Sequence, residues 1–161
     1  MDRQTDNLIH ILPVDPYQQE AAGLMEELSR CLEAITGDSG QSSFQPEDVC
    51  GERAVFVIAR DAAGKAVGCG AIRPLQEEIA EVKRMYAGEP GRGIGSRLLA
   101  YLEQQAVSFG YTALWLETRL VNHAAVAFYE RQNYHRIDNY GHYAGHPESV
   151  CFEKRLAIHQ E

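Results

Sequence analysis

Glu81-Val82-Lys83-Arg84-Met85-Tyr86-Ala87 leads, within a few residues, into Gly91-Arg92-Gly93-Ile94-Gly95-Ser96-Arg97-Leu98-Leu99. The first run alternates as a strand does, with Ile79, Glu81 and Lys83 along one side and Val82, Arg84 and Tyr86 along the other. The second carries three glycines and opens a stripe of Ile94, Leu98, Leu99, Leu102, Ala106 and Phe109 at helical spacing, stopped by Gly110. Strand, glycine loop and helix together suit anion binding: glycines let a ligand approach the backbone, and the first N–H groups of a helix have no partner inside it. A P-loop is excluded because no Gly-Lys-Ser/Thr follows. The dinucleotide fingerprint comes nearer. Gly91 and Gly93 fit it and Glu117 ends the next strand, but Ser96 stands where the third glycine belongs.

Working outward, Asn7 to Val14 reads as a first strand and Tyr17 to Ile35 as a helix, with Ala21, Leu24, Met25, Leu28, Cys31, Leu32 and Ile35 on one face. The Gly/Ser-rich stretch from Gly37 to Pro46 is a loop, either a plain connection or a substrate-facing one. Arg53 to Arg60 and Ala66 to Leu75 form a hairpin around Asp61 to Lys65, and Glu78 to Ala87 extends it to a meander. Beyond the glycine helix come a strand from Tyr111 to Thr118, a helix from Ala124 to Arg131 capped by Asn122, and strands near Tyr134 to Tyr140 and Ser149 to Leu156. The order β-α-β-β-β-α-β-α-β-β predicts a mixed sheet flanked by helices.

The 161 residues are 45% apolar and 24% charged, which fits one domain spanning 1–161 that folds without a disulfide or metal staple. A net charge of −8 with no Lys/Arg cluster argues against nucleic acid, and no apolar run approaches the ~20 residues of a membrane span. The polar start, Met1 to Asn7, does not resemble a secretory signal, so the expected compartment is the cytoplasm. Cys31, Cys50, Cys69 and Cys151 are widely spaced, which predicts free and mostly buried thiols. Among His10, His123, His135, His142, His146 and His159 only His142 and His146 stand four apart, in a glycine-containing stretch between strands and not in a helical stripe, so no metal is expected.

The 81–87 and 91–99 segments, taken with Asn122-His123-Ala124-Ala125-Val126-Ala127-Phe128-Tyr129-Glu130, resemble the GNAT superfamily of acyl-CoA N-acyltransferases. The ending from Tyr140 to Lys154 is similar to its bacterial small-molecule-type subgroup. The resemblance covers roughly Arg53 to Leu156. It implies an α+β fold, with a mostly antiparallel sheet of about seven strands flanked by about four helices. It also implies acetyl-CoA as cosubstrate, in a wedge between the strands ending at Ala87 and Thr118. Backbone groups of Met85 and Ala87 would meet the pantetheine arm, and N–H groups of Arg92, Gly93, Ile94, Gly95 and Ser96 would cradle the pyrophosphate. Asn122 would lie beside them, in addition to capping its helix. One departure is Pro90, where relatives carry Gln or Arg.

For chemistry, the resemblance assigns Tyr129 as proton donor to the leaving thiolate. Two carboxylates compete as general base: Glu81, at the offset before Met85 where the histone-acetylating branch carries its glutamate, and Glu117, at the end of the facing strand. Lys83, Arg84 and Arg119 are near enough in sequence to pair with either. The Tyr140 and Tyr143 rings are candidates for an acceptor-pocket wall. The acceptor implied is a primary amine of a small molecule or peptide, and the acidic surface suits a cationic one. Two other readings stay open, a nucleotide-dependent oxidoreductase and a non-catalytic acyl-CoA sensor, and the chain is compatible with a homodimer.

Overall fold

A computed structural model describes residues 8–41, 44–89 and 91–157. Pro90, His159, the start of the first predicted strand at Asn7 and two serines of the Gly/Ser-rich loop lie outside the described residues. In chain order the elements are β1 (His10–Pro13), α1 (Gln19–Thr36), β2 (Val55–Arg60), β3 (Ala66–Gln76), β4 (Ile79–Ala87), α2 (Ile94–Ser108), β5 (Ala113–Arg119), α3 (His123–Arg131), β6 (His135–Ile137) and β7 (Ser149–Arg155). Short 3-10 turns lie at Pro46–Val49 and Gly141–Tyr143. The seven strands form one sheet in the order β1-β2-β3-β4-β5-β7-β6. Every neighbouring pair is antiparallel except β4 and β5. A dinucleotide-binding fold needs a parallel sheet with two mononucleotide halves, and a single parallel pair does not supply it.

Alternation along the strands sorts the core into two layers. Val57, Ala59, Val67, Ile72 and Val82 face Ile94, Leu98, Leu99 and Leu102 of α2. Phe56, Ile58, Cys69 and Ala71 face Ala21, Leu24 and Met25 of α1 on the other side. The α1 stripe ends in Gly37, whose left-handed backbone (φ 83°) returns its N–H to the Glu33 carbonyl. Cys69 and Cys151 are buried, whereas Cys31 and Cys50 are exposed, so the expectation of mostly buried thiols holds for only half of them.

β4 departs from simple alternation. Its register with β3 shifts between Cys69 and Ala71, and Arg84 adopts φ 56°, the signature of a bulge that bends the strand. The extra residue resets the pleat. Tyr86 therefore opposes Cys69 and donates to Glu27 of α1, on the side of Lys83, instead of sharing a side with Val82. Arg84 turns to α1 as well, donating to the Met25 carbonyl and Ser29 Oγ.

β6 is shorter than the sequence suggests. The Asn139 amide donates to the carbonyls of Tyr143, His146 and Ser149, which curls the chain into a compact connection and takes Tyr140 out of the strand.

Two glycines in β3 let α2 lie close to the sheet. A Cβ at Gly68 would come within 2.7 Å of the Tyr86 carbonyl oxygen and 2.9 Å of Ile94 Cγ2. Gly23, by contrast, sits in α1 with nothing near it. Gly68→Ala is therefore expected to cost about 1–3 kcal/mol through overpacking. Gly23→Ala should add about 0.5–1 kcal/mol through helix propensity. Thermal unfolding reads both, at about 2–4 °C per kcal/mol for a chain this long.

Candidate active site

The parallel pairing of β4 with β5 covers only Ile79–Glu81 against Ala113–Trp115. Beyond it β4 stays with β3 and β5 stays with β7, so the two strands diverge and their facing edges have no strand partner. Such edges present N–H and C=O groups that need another partner. The gap is a cleft of about 290 Å³ that passes through the sheet. On the α2 side it is lined by Met85, Leu116, Asn122 and Tyr129, and on the α1 side by Lys83, Arg84, Tyr143 and the Thr36–Gly40 segment. The Gly/Ser-rich loop thus contributes Asp38 and Gly40 to the cleft.

The glycine loop opens α2 next to this cleft. Gly91 (φ 84°) and Gly93 (φ 69°) are left-handed, and no atom lies within 4 Å of where a Cβ would project at either. The backbone is therefore open to a ligand there. Ile94, Gly95 and Ser96 head the helix, and the first intrahelical bond runs from Arg97 N–H to the Gly93 carbonyl. Ile94 is buried and anchors the helix start in the core. Gly95 is pressed against α3, where a Cβ would stand 3.3 Å from the Phe128 ring. Ser96 Oγ accepts from Gln132 Nε2, a second tie between the two helices. Arg92 pairs with Glu89. Ala87 is exposed at the end of β4, opposite Gly68. Ala87 and residues 92–96 do not line the cleft.

Asn122 caps α3 by accepting from Ala125 N–H at 3.3 Å, and its residue also lines the cleft, so the structural and site placements coincide. One and two turns further along α3, Ala125 and Tyr129 line the same space. Tyr129 packs against Phe128, Tyr134 and Phe152, and no group among the described residues hydrogen-bonds its phenol. Burial holds that phenol well above the ordinary tyrosine range, so it keeps its proton at neutral pH.

The two candidate bases fall in different places. Glu117 lines the cleft, with its side chain 13% exposed; it accepts from Ser149 Oγ and lies 3.5 Å from Arg119 Nε. Glu81 does not line the cleft. It is 1% exposed, one oxygen is held by Arg73 Nε and Nη2, and the other accepts from the Tyr140 phenol. Arg73 stands opposite Glu81 in the β3–β4 register, so centring the hairpin on Glu77 in the sequence would have found the pair. Tyr140 packs on Trp115 and serves Glu81, leaving Tyr143 as the ring that walls the cleft.

Lys83 and Arg84 were expected among the partners of the glutamates, yet neither makes an ion pair among the described residues; Arg119 does, with Glu117 and Asp38. No group of His, Cys, Asp and Glu residues suited to a metal occurs among the described residues, and no helix there is long and apolar enough to cross a membrane.

The family model for "Acetyltransferase (GNAT) family" matches residues 21–134. An "IAA acetyltransferase" of Azospirillum brasilense is 33% identical over 144 residues, covering 88% of this chain and 94% of that protein. Among solved structures, a Klebsiella pneumoniae protein described as an acyl-CoA N-acyltransferase is 31% identical with a TM-score of 0.79, over 94% of this chain and 99% of that one. The ribosomal-protein-S18-alanine N-acetyltransferase of Escherichia coli, at 19% identity and a TM-score of 0.66, covers 96% and 97% and shares the fold. The matched segment contains the meander, the divergent β4 and β5, the glycine loop and Tyr129. This chain belongs to the GNAT family of acetyltransferases.

Proposed function

We propose that the protein transfers an acetyl group from acetyl-CoA directly to a primary amine of a small molecule or peptide. The observation that carries this reading is the unpaired β4 and β5 edges, which open beside a glycine-rich helix start. GNAT proteins use acetyl-CoA as cosubstrate. The residues here fit it. Backbone groups of Met85 and Ala87 offer strand-like hydrogen bonds to the amides of a pantetheine arm. N–H groups from Arg92 to Ser96, with the backbone open at Gly91 and Gly93, offer the pyrophosphate a cradle at the positive end of α2. Asn122 borders the arm where it crosses toward α3.

Direct transfer needs a neutral amine, so a base must remove its proton. Glu117 takes this role because it alone of the two carboxylates faces the cleft. Glu81, with both oxygens engaged, holds β3, β4 and the 139–146 connection together. Tyr129, protonated and with no hydrogen bond to its phenol among the described residues, gives its proton to the departing thiolate, whose solution pKa near 8.5 demands only modest help. The "IAA acetyltransferase" relative supports acetyl transfer without fixing the acceptor.

Two experiments test the assignment. Tyr129→Phe should lower kcat about 10²-fold while acetyl-CoA KM changes little, because only the proton is removed. A fall in kcat below twofold contradicts the role. In pH–rate profiles of kcat/KM, Glu117→Gln should lose the acidic limb and Glu81→Gln should keep it, with any loss in Glu81→Gln appearing as lowered stability. The opposite pattern would return the base to Glu81.

A further inference from the structure

Lys65, Lys83 and Lys154 are the three lysines of the chain. Lys65 pairs with Glu89 and Lys154 with Glu103. Lys83 is the most buried of them, 8% exposed, yet it has no carboxylate partner among the described residues. Its ammonium donates to the Tyr143 phenol at 3.1 Å, and its other two donors have no acceptor among the described residues. A buried ammonium without a carboxylate is costly. Burial accordingly pushes Lys83 below the ordinary lysine range, against the pull of Glu81 and Glu117.

The charges around the cleft sort themselves. Asp38 is taken by Arg119 at 3.0 Å, Glu117 lies against the same guanidinium, and Glu148 stands 3.2 Å from His146 Nδ1. Glu81, the carboxylate nearest to Lys83 along the strand, is taken by Arg73 and Tyr140. Next to Lys83 on β4, Arg84 has its guanidinium in the α1 wall, where it donates to the Met25 carbonyl and Ser29 Oγ; its Nε is buried without a hydrogen-bond partner among the described residues. Each acid lining the cleft thus has a basic group beside it, Asp38 and Glu117 sharing Arg119 and Glu148 facing the His146 ring, whereas neither Lys83 nor Arg84 has a carboxylate within ion-pair distance among the described residues. The net charge of −8 belongs to the whole chain and bears on steering, whereas inside the cleft the two cations that lack a carboxylate partner, Lys83 and Arg84, stand next to each other on one strand.

We propose that the cleft takes an amine acceptor that carries a carboxylate, and that the Lys83 ammonium, positioned by the Tyr143 phenol, holds that carboxylate. Arg84 adds positive potential behind it. This rests on the acetyl-transfer reading and narrows its acceptor. Lys83 lies on the α1 side of the sheet, with Tyr143 and Asp38, while Tyr129 lies on the α2 side. Acyl donor and acceptor therefore approach through opposite faces and meet where β4 and β5 part. Glu117 and Lys83 then match the two ends of an amino-acid-like molecule, Glu117 receiving the proton of the amine and Lys83 the carboxylate. A simple cationic amine gains nothing from Lys83 and is repelled by it.

The test uses the full chain with lysine labelled at the ε-carbon, which yields three resolved side-chain signals; the one missing in Lys83→Met is Lys83. The probes are a panel of N-acetyl amino acids from glycine to tryptophan, each paired with its uncharged carboxamide, titrated in the presence of saturating CoA. The carboxylate member of a pair should move the Lys83 signal, leave Lys65 and Lys154 in place, and bind at least about tenfold more tightly than its amide, as a charge-assisted hydrogen bond requires. In Lys83→Met, a replacement of similar volume that leaves no buried charge, this ratio should fall to about one. Amides that bind as well as carboxylates, a ratio that survives Lys83→Met, or a Lys83 signal that no member moves would each overturn the proposal. The CoA addition is read separately by thermal unfolding. Absence of a CoA-induced rise counts against acetyl transfer itself, and the Lys83 titration still decides the carboxylate site.

Discussion

Everything that distinguishes this sheet follows from one constraint: β4 and β5 can hydrogen-bond for only three residues before they part. A buried sheet normally satisfies its backbone groups by continuing its ladders. Here the left-handed Arg84 bulge bends β4 toward β3 and α1, while β5 keeps its full pairing with β7 from Ala113 to Arg119. Neither strand can return to the other. The gap stays open because both strands are anchored elsewhere, and it places unpaired backbone beside the start of α2. A substrate that is itself a chain of amides ending in phosphates complements such a gap. The cleft is thus a consequence of strand pairing, with side chains added at its two ends.

The same parting separates two sets of charges. Glu81 belongs to the last paired rung, and there it closes a network with Arg73, Asp48 and Tyr140 that binds β3, the 3-10 turn at Pro46–Val49 and the connection before β7. A carboxylate buried this deeply survives only because each oxygen has a partner. Two residues later, past the last rung, Lys83 enters the gap and finds a phenol in place of a carboxylate. On the facing strand Glu117 stays within reach of the cleft. The boundary between structural and chemical roles falls where the β4–β5 ladder ends.

Most of the architecture was legible in the amino-acid sequence because it depends on local periodicity. The element order, the α1 stripe, the α2 stripe ending at Gly110 and the Asn122 cap all follow from spacing and capping chemistry within a few residues. The glycine loop was legible for the same reason. The bulge was not, since Arg84 carries no glycine to announce a positive φ and alternation alone sets Tyr86 on the wrong side. Choosing between Glu81 and Glu117 was beyond local pattern as well. It depends on Tyr140, 59 residues away from Glu81, and on Ser149, 32 residues away from Glu117. Only tertiary packing brings those partners in. The length of β6 was misjudged because the Asn139 amide competes for carbonyls that lie up to ten residues on.

Backbone hydrogen exchange with and without acetyl-CoA is the deciding measurement, because the donor substrate is assigned to main-chain groups. Amides in segments 82–87 and 92–96 should exchange at least about tenfold more slowly once acetyl-CoA is bound, with α1 and β7 unchanged at their far ends. Unaltered exchange in both segments at saturating acetyl-CoA would contradict the view that the divergence of β4 from β5 is the acyl-CoA slot.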